Sequence, residues 1–256
     1  MTSYLDLEAR LGGEFIHPGG DAITRVLKQW LDLKSDDTAL EIGGGSGATA
    51  ALIARESGAH ITLLDRSAAM LAAARERLRE MRLSHGVDLV RMEASRVLAV
   101  GSVTFDAVYA ESVVALLDVD AIIAECARVL KPGGRLVFNE RIWRSGTSQP
   151  EVDRVNALSR QVYGIPAATS RPLDRDDWLQ LMRDAGLKDA HAVTVDSLLA
   201  GRRPPAAVRY RLRRLAHYLR RPHLLAQSWQ FKRQTCRYAA LFDHMESYVF
   251  SARKPA

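Results

Sequence analysis

The chain has 256 residues, room for one large domain or two small ones, and its 47% hydrophobic and 26% charged residues suit an ordinary globular protein. No stretch approaches the roughly 18 apolar residues of a membrane span, and the opening MTSYLDLEARLGGEF lacks the basic and apolar pattern of a secretory leader, so the chain is expected to be cytoplasmic. The net charge of +6 is unevenly placed: residues 201–238 hold eleven Arg and Lys and no Asp or Glu, which leaves −5 on the rest.

In chain order, FIHPGG precedes a segment from Asp21 to Leu33 in which Ile23, Val26, Leu27 and Trp30 share one helical face, with Asp36 and Asp37 ending it. TALEIG reads as a strand and Ala48–Glu56 as a helix. AHITLLD is a second strand, followed by a helix in SAAMLAAARERLREM with Ser67 as N-cap. VDLVRME and FDAVYAE are strands three and four. VDAIIAECARVL is a helix that stops at KPGG, and RLVFNE is strand five. Past Glu140 the pattern predicts a helix over 152–163, a capped helix in LDRDDWLQLMRDAGL, strand six in DAHAVTVDSLL and a last strand in SYVFSAR. The basic segment lies between those two strands. Its Val208, Leu212, Leu215 and Leu219 recur at helical spacing, Pro222 breaks the run, and a second helix is expected from about Leu224 to Phe242.

Strands alternating with helices predict an α/β fold: a doubly wound, mostly parallel seven-stranded sheet of Rossmann-like type, with a helical insertion before the last strand. The expected organisation is an N-terminal helical cap over residues 1–35, a main domain over 36–200 and 244–256, and a basic helical insertion over 201–243 that forms a lid.

The stretch EIGGGSGATA joins strand one to the next helix. Glycines there let a ligand pack against bare backbone, at the positive end of the helix dipole and at the carboxyl edge of the sheet. Asp65 closes strand two, 22 residues after Gly43, where a carboxylate can accept from both ribose hydroxyls. Gly43, Gly45 and Ala48 also satisfy the dinucleotide pattern G-x-G-x-x-G/A. Nicotinamide dinucleotides and other adenosine cofactors therefore both fit these residues.

The wider stretch, LEIGGGSG through ITLLD, VRMEAS and FDAVYAESV to ARVLKPGGRLVFNE, resembles the class I S-adenosylmethionine-dependent methyltransferases, most of all the branch that modifies small molecules. The resemblance covers about residues 36–140 and implies the Rossmann-like methyltransferase fold, S-adenosyl-L-methionine as cofactor and S-adenosyl-L-homocysteine as product. It implies that Glu41 holds the methionine end and that Gly43, Gly45 and Gly47 pass the methionine and ribose along main chain. Asp65 then takes the ribose. Arg66 and Met70 border the adenine, and Glu93, Ala94 and Ser95 meet its edge, with Glu93 standing where relatives often have Asp. Glu111, at the end of strand four, falls near the sulfur.

Glu111, Glu140 and His17 are the expected catalytic candidates. The two glutamates end adjacent strands, and His17 sits in a segment able to fold over the site. Trp143 and Tyr163 offer aromatic faces to a sulfonium or an acceptor. Arg209 represents the basic segment as an acceptor contact. Cys126 and Cys236, 110 residues apart, have no metal-type spacing and read as reduced thiols; neither a metal site nor the iron–sulfur cluster of radical chemistry is expected.

The expected acceptor is a small molecule, and the arginines suit an anionic one. The same arginines leave open an RNA methyltransferase, a lipid or quinone enzyme at a membrane surface, or pairing with the acidic remainder of a second subunit in a homodimer. AESV replaces the NPPY-type tetrapeptide of many amino-directed nucleic-acid enzymes, which makes RNA the weaker reading. Outside the family, a nicotinamide oxidoreductase or a cofactor-binding module without an acceptor remain as readings.

Overall fold

The computed structural model describes residue 7, residue 15 and residues 17–94, 100–201, 224–229, 233 and 239–256. The helices are α1 (Gly20–Leu31), α2 (Ala48–Ser57), α3 (Ala68–Glu80), α4 (Val119–Val129), α5 (Gln149–Tyr163), α6 (Arg175–Asp184) and the short α7 (Val195–Leu199). The strands are β1 (Thr38–Ile42), β2 (His60–Asp65), β3 (Val87–Arg91), β4 (Phe105–Glu111), β5 (Leu130–Trp143), β6 (Lys188–Thr194) and β7 (Met245–Arg253). They form one seven-stranded sheet in the order β3-β2-β1-β4-β5-β7-β6. The first five strands run parallel, and β7 pairs antiparallel with both β5 and β6. The α/β expectation and the seven strands hold.

Successive side chains of a strand point to opposite faces, and here both faces are apolar. Leu40, Ile42, Leu64, Val108, Ala110, Leu136 and Phe138 pack on one side with Ile122 and Cys126 of α4, Val155 of α5 and Trp178 of α6. Ala39, Ile61, Leu63, Ala107, Tyr109, Val137 and Val249 pack on the other with Ile23 and Leu27 of α1, Ile53 of α2 and Leu71 of α3. Helix α1 is therefore one of the covering layers of the sheet and not a separate cap. Arg135 of β5 ties it down by donating to the Leu31 carbonyl at 2.9 Å.

Several boundaries differ from expectation for local reasons. Helix α1 stops at Leu31, before Asp36 and Asp37, because Asp32 turns left-handed at φ 46°. Strand β6 ends at Thr194, whose hydroxyl accepts from the Ser197 N–H at 3.2 Å and caps α7, so the second half of the expected strand six is helical. Strand β5 extends from Leu130 to Trp143, beyond the expected 135–140 on both sides. Ser67 does cap α3, accepting from Met70 N–H at 3.2 Å. Of the expected second insertion helix, residues 224–229 are helical and Ala239–His244 is a 3-10 segment. The first insertion helix lies outside the described residues. Among the described residues no helix is long and apolar enough to cross a membrane.

Candidate active site

The carboxyl ends of β1, β2, β4 and β5 open on one cavity of about 820 Å³. The loop from β1 to α2 forms one wall. Gly44 N–H donates to the Leu64 carbonyl at 3.1 Å and Gly45 N–H to the Asp65 carboxylate at 2.9 Å, which binds the loop to the end of β2. A Cβ on Gly44 would sit 2.4 Å from Leu63, so that glycine is required by the protein's own packing. A Cβ on Gly45 would meet nothing nearer than Met70 Sδ at 3.9 Å; with φ +54° this residue presents bare backbone to the cavity. Gly43 and Gly47 also hold positive φ.

Asp65 accepts from Ser67 N–H at 2.7 Å with its other oxygen. Each oxygen keeps a lone pair for a further donor. Met70, Glu93 and Ala94 line the same part of the cavity, and Arg66 forms an exposed 3.7 Å ion pair with Glu93. Ser95 lies outside the described residues.

Glu41 is 4% exposed, lines the cavity and accepts from the Tyr109 hydroxyl at 3.3 Å. Burial, and then the charge of Glu111, hold its carboxyl well above the ordinary range. Glu111 is the hub of a buried polar cluster. It accepts from Thr49 at 2.6 Å and from Thr24 at 3.1 and 3.2 Å, and it lies 3.2 Å from His17 Nε2. The His17 Nδ1 faces the Asn139 amide nitrogen at 3.1 Å. These partners are satisfied together by the Nε2–H tautomer, donating toward Glu111 and accepting at Nδ1. The structure thus brings His17 and Glu111 together, with Asn139 and two threonines that the sequence reading did not single out.

Glu140 departs from expectation. It is 1% exposed, and its carboxylate accepts from the N–H groups of Val113 at 3.0 Å, Val114 at 2.8 Å and Ala115 at 3.3 Å. It therefore holds the turn that follows β4 and is not part of the cavity wall. Burial raises its carboxyl to about 7 despite the three donors. Trp143 departs too. It is 1% exposed in the core, with its indole N–H donated to the Thr169 carbonyl at 2.9 Å. Tyr163 ends α5 just before the cavity-lining residues 164–167 but is not itself part of the wall. Arg209 lies outside the described residues. The wall also holds Arg141 and Ser112, which the sequence reading passed over; their signal was position alone, at the carboxyl ends of β5 and β4.

Strand order, a glycine turn open to a cavity and an acid closing β2 together define a Rossmann-like cofactor site. Its carboxylates suit a positively charged adenosyl group: Glu41, Asp65 and Glu111 face the cavity, and Gly45 leaves room against main chain. The family described as Methyltransferase domain matches residues 40–138. The chain is similar to methyltransferase GfsG of Streptomyces halstedii, 33% identical over 171 residues, covering 66% of this chain and 59% of that protein, less than two thirds of its length. Among solved structures it is similar to the [4+2]-cyclase SpnF, at TM-score 0.65 and 25% identity, covering 92% of this chain and 81% of that one. It also matches geranyl diphosphate C-methyltransferase from Streptomyces coelicolor A3(2), solved with Mg²⁺, geranyl diphosphate and S-adenosyl-L-homocysteine, at TM-score 0.65 and 19% identity over 91% of this chain and 79% of that one. Residues 40–138 carry the methyltransferase domain, and the relatives in sequence and structure support a class I S-adenosylmethionine-dependent methyltransferase.

Proposed function

We propose that the protein transfers a methyl group from S-adenosyl-L-methionine to a small-molecule acceptor. The observation that carries this reading is the continuous cavity that starts at Gly45 and Asp65 and passes Glu111 to Arg141 and the 164–167 loop. Its volume of about 820 Å³ is at the upper end of the range for small-molecule sites, as expected if two ligands share it.

The bound cofactor supplies a methyl group already activated on a sulfonium sulfur. The chain's task is then orientation, worth roughly 7–11 kcal/mol of barrier when reacting atoms are held in line. Asp65 takes the ribose hydroxyls with its remaining lone pairs. Gly45 exposes main chain, Met70 and Ala94 cover the adenine, and Glu93 meets its edge. Glu41 and Glu111 hold the cationic end, where a positive group restores the ionised form that burial opposes at Glu41. His17, with Thr24 and Thr49, fixes the Glu111 carboxylate and acts as a positioning residue. An amine acceptor can lose its proton to water, whereas a phenol or an acidic carbon gains from a positioned base.

The test is calorimetric titration with S-adenosyl-L-homocysteine, followed by assay of methyl transfer from labelled cofactor. Wild type is expected to bind at micromolar or tighter affinity, and Asp65→Ala to lose about tenfold or more, the worth of charge-assisted hydrogen bonds. Affinity for NAD with none for S-adenosyl-L-homocysteine would overturn the reading. Because one structural relative bears the name of a cyclase, binding without turnover across acceptor panels would leave a cofactor module in place of a transferase.

A further inference from the structure

Two polar groups on the cavity wall have no hydrogen-bond partner among the described residues. Arg141, near the carboxyl end of β5, lines the cavity, and none of its five N–H donors meets an acceptor among the described residues. Its guanidinium carbon lies 5.1 Å from the centroid of the Phe242 ring, which supports the plane of the group without using its edge. Burial lowers its affinity for a proton, and the nearby Tyr163 works in the opposite direction. An arginine of this kind stays charged, so a partly buried cation sits here without a counter-ion among the described residues.

The second group is Ser112, one residue past β4. Its Oγ is buried and meets no hydrogen-bond partner among the described residues. Its backbone is left-handed at φ +59°, a conformation disfavoured for a non-glycine residue. Its N–H is held by the Asn139 carbonyl at 2.8 Å, which fixes Ser112 against the strand that bears Arg141. Register pairs Glu111 with Asn139, so Ser112 and Arg141 leave neighbouring strands at nearly the same level. The sheet order sets β5 three strands from β2, about 14 Å from the Asp65 position at ordinary strand spacing. The acid that suits the ribose, Asp65, and the cation that lacks an anion, Arg141, thus occupy different parts of one cavity, with Glu111 on the strand beside Arg141.

We propose that the methyl acceptor carries an anionic oxygen group, a carboxylate or a phosphate, bound by the Arg141 guanidinium with a second hydrogen bond from the Ser112 hydroxyl. This rests on the methyl-transfer reading. The fork of the guanidinium matches two oxygens of such a group, and the buried hydroxyl completes a third contact. The anion thereby anchors the acceptor while its nucleophilic atom extends toward Glu111.

The test is calorimetry on the protein saturated with S-adenosyl-L-homocysteine, with benzoate, phenyl phosphate and the neutral benzamide as probes. Wild type is expected to bind at least one anion about tenfold or more tighter than benzamide, and the better anion identifies the group. Arg141→Gln should abolish the preference, and Ser112→Ala should weaken it about threefold to tenfold. Should Arg141→Gln melt early, Arg141→Lys replaces it: charge is kept, the fork is lost, and the preference should survive at reduced affinity. S-adenosyl-L-homocysteine itself should bind wild type and variants alike. A large loss of that affinity in Arg141→Gln would place Arg141 on the cofactor carboxylate and overturn the proposal. Cofactor binding by wild type with no preference for either anion overturns it as well. Absence of cofactor binding by wild type overturns the methyl-transfer reading instead.

Discussion

Glu140 and Arg141 are adjacent in sequence and do opposite work. One carboxylate is enclosed by three backbone N–H groups; the next side chain faces the cavity. Successive residues on a strand point apart, so only one of them can reach a given pocket. The sequence does not say which, because β5 is apolar on both faces and offers no alternation to read. Asp65 was legible from its place at the end of β2, and Glu41 and Glu111 chiefly through the family resemblance; all three line the cavity. The buried Glu140 has a testable consequence. Its carboxyl is raised to about 7, above its ordinary 4.5, so the folded state binds more protons than the unfolded state between those values. Stability from this group is therefore present at low pH and lost as pH rises through that window, by up to about 1.4 kcal/mol per pH unit. Chemical denaturation of wild type and Glu140→Gln from pH 4 to pH 8 should show wild type losing stability relative to the variant as pH rises. A pH-independent difference would mean that Glu140 stays ionised throughout.

At the scale of elements, apolar periodicity located the helices and strands well, since burial on the sheet imposes it. It failed where the chain changes element without changing composition. Val193, Thr194 and Val195 form an unbroken β-branched run, yet β6 gives way to α7 inside it because the Thr194 hydroxyl caps the helix. The glycine turn shows a similar division within one loop. Gly44→Ala forces a Cβ to 2.4 Å from Leu63 and should destabilise the protein by about 1–3 kcal/mol, the usual cost of overpacking. Gly45→Ala has open space before it and should cost stability only the roughly 1–2 kcal/mol of a left-handed residue, while cofactor affinity falls about tenfold or more as the new methyl group occupies the ligand's place. Melting temperature and S-adenosyl-L-homocysteine affinity measured on both variants separate the two; equal affinity in Gly45→Ala would move the ligand away from this backbone.

For the whole molecule, the uneven charge is the feature that sequence reading could state but not resolve. The eleven Arg and Lys of residues 201–238 fall almost wholly outside the described residues. Their role separates by salt. Small-acceptor turnover should change less than about tenfold between 50 and 200 mM salt, whereas a surface that neutralises six to ten phosphates would lose about 10³–10⁵ in affinity. Strand order was legible only through family resemblance, because local pattern fixes the type of an element and not its neighbours. That order has one consequence for how the chain acquires its shape. The strand that joins β5 to β6 is β7, so the piece that completes the sheet emerges from the ribosome after both strands it must pair. Until it arrives, β5 has an open edge and β6 has no partner in the sheet. Such unpaired edges are the sites at which nascent chains associate with one another. During synthesis, then, these two edges stay unpaired from the making of residue 194 until residue 253 is finished, and the insertion between those strands lengthens that interval.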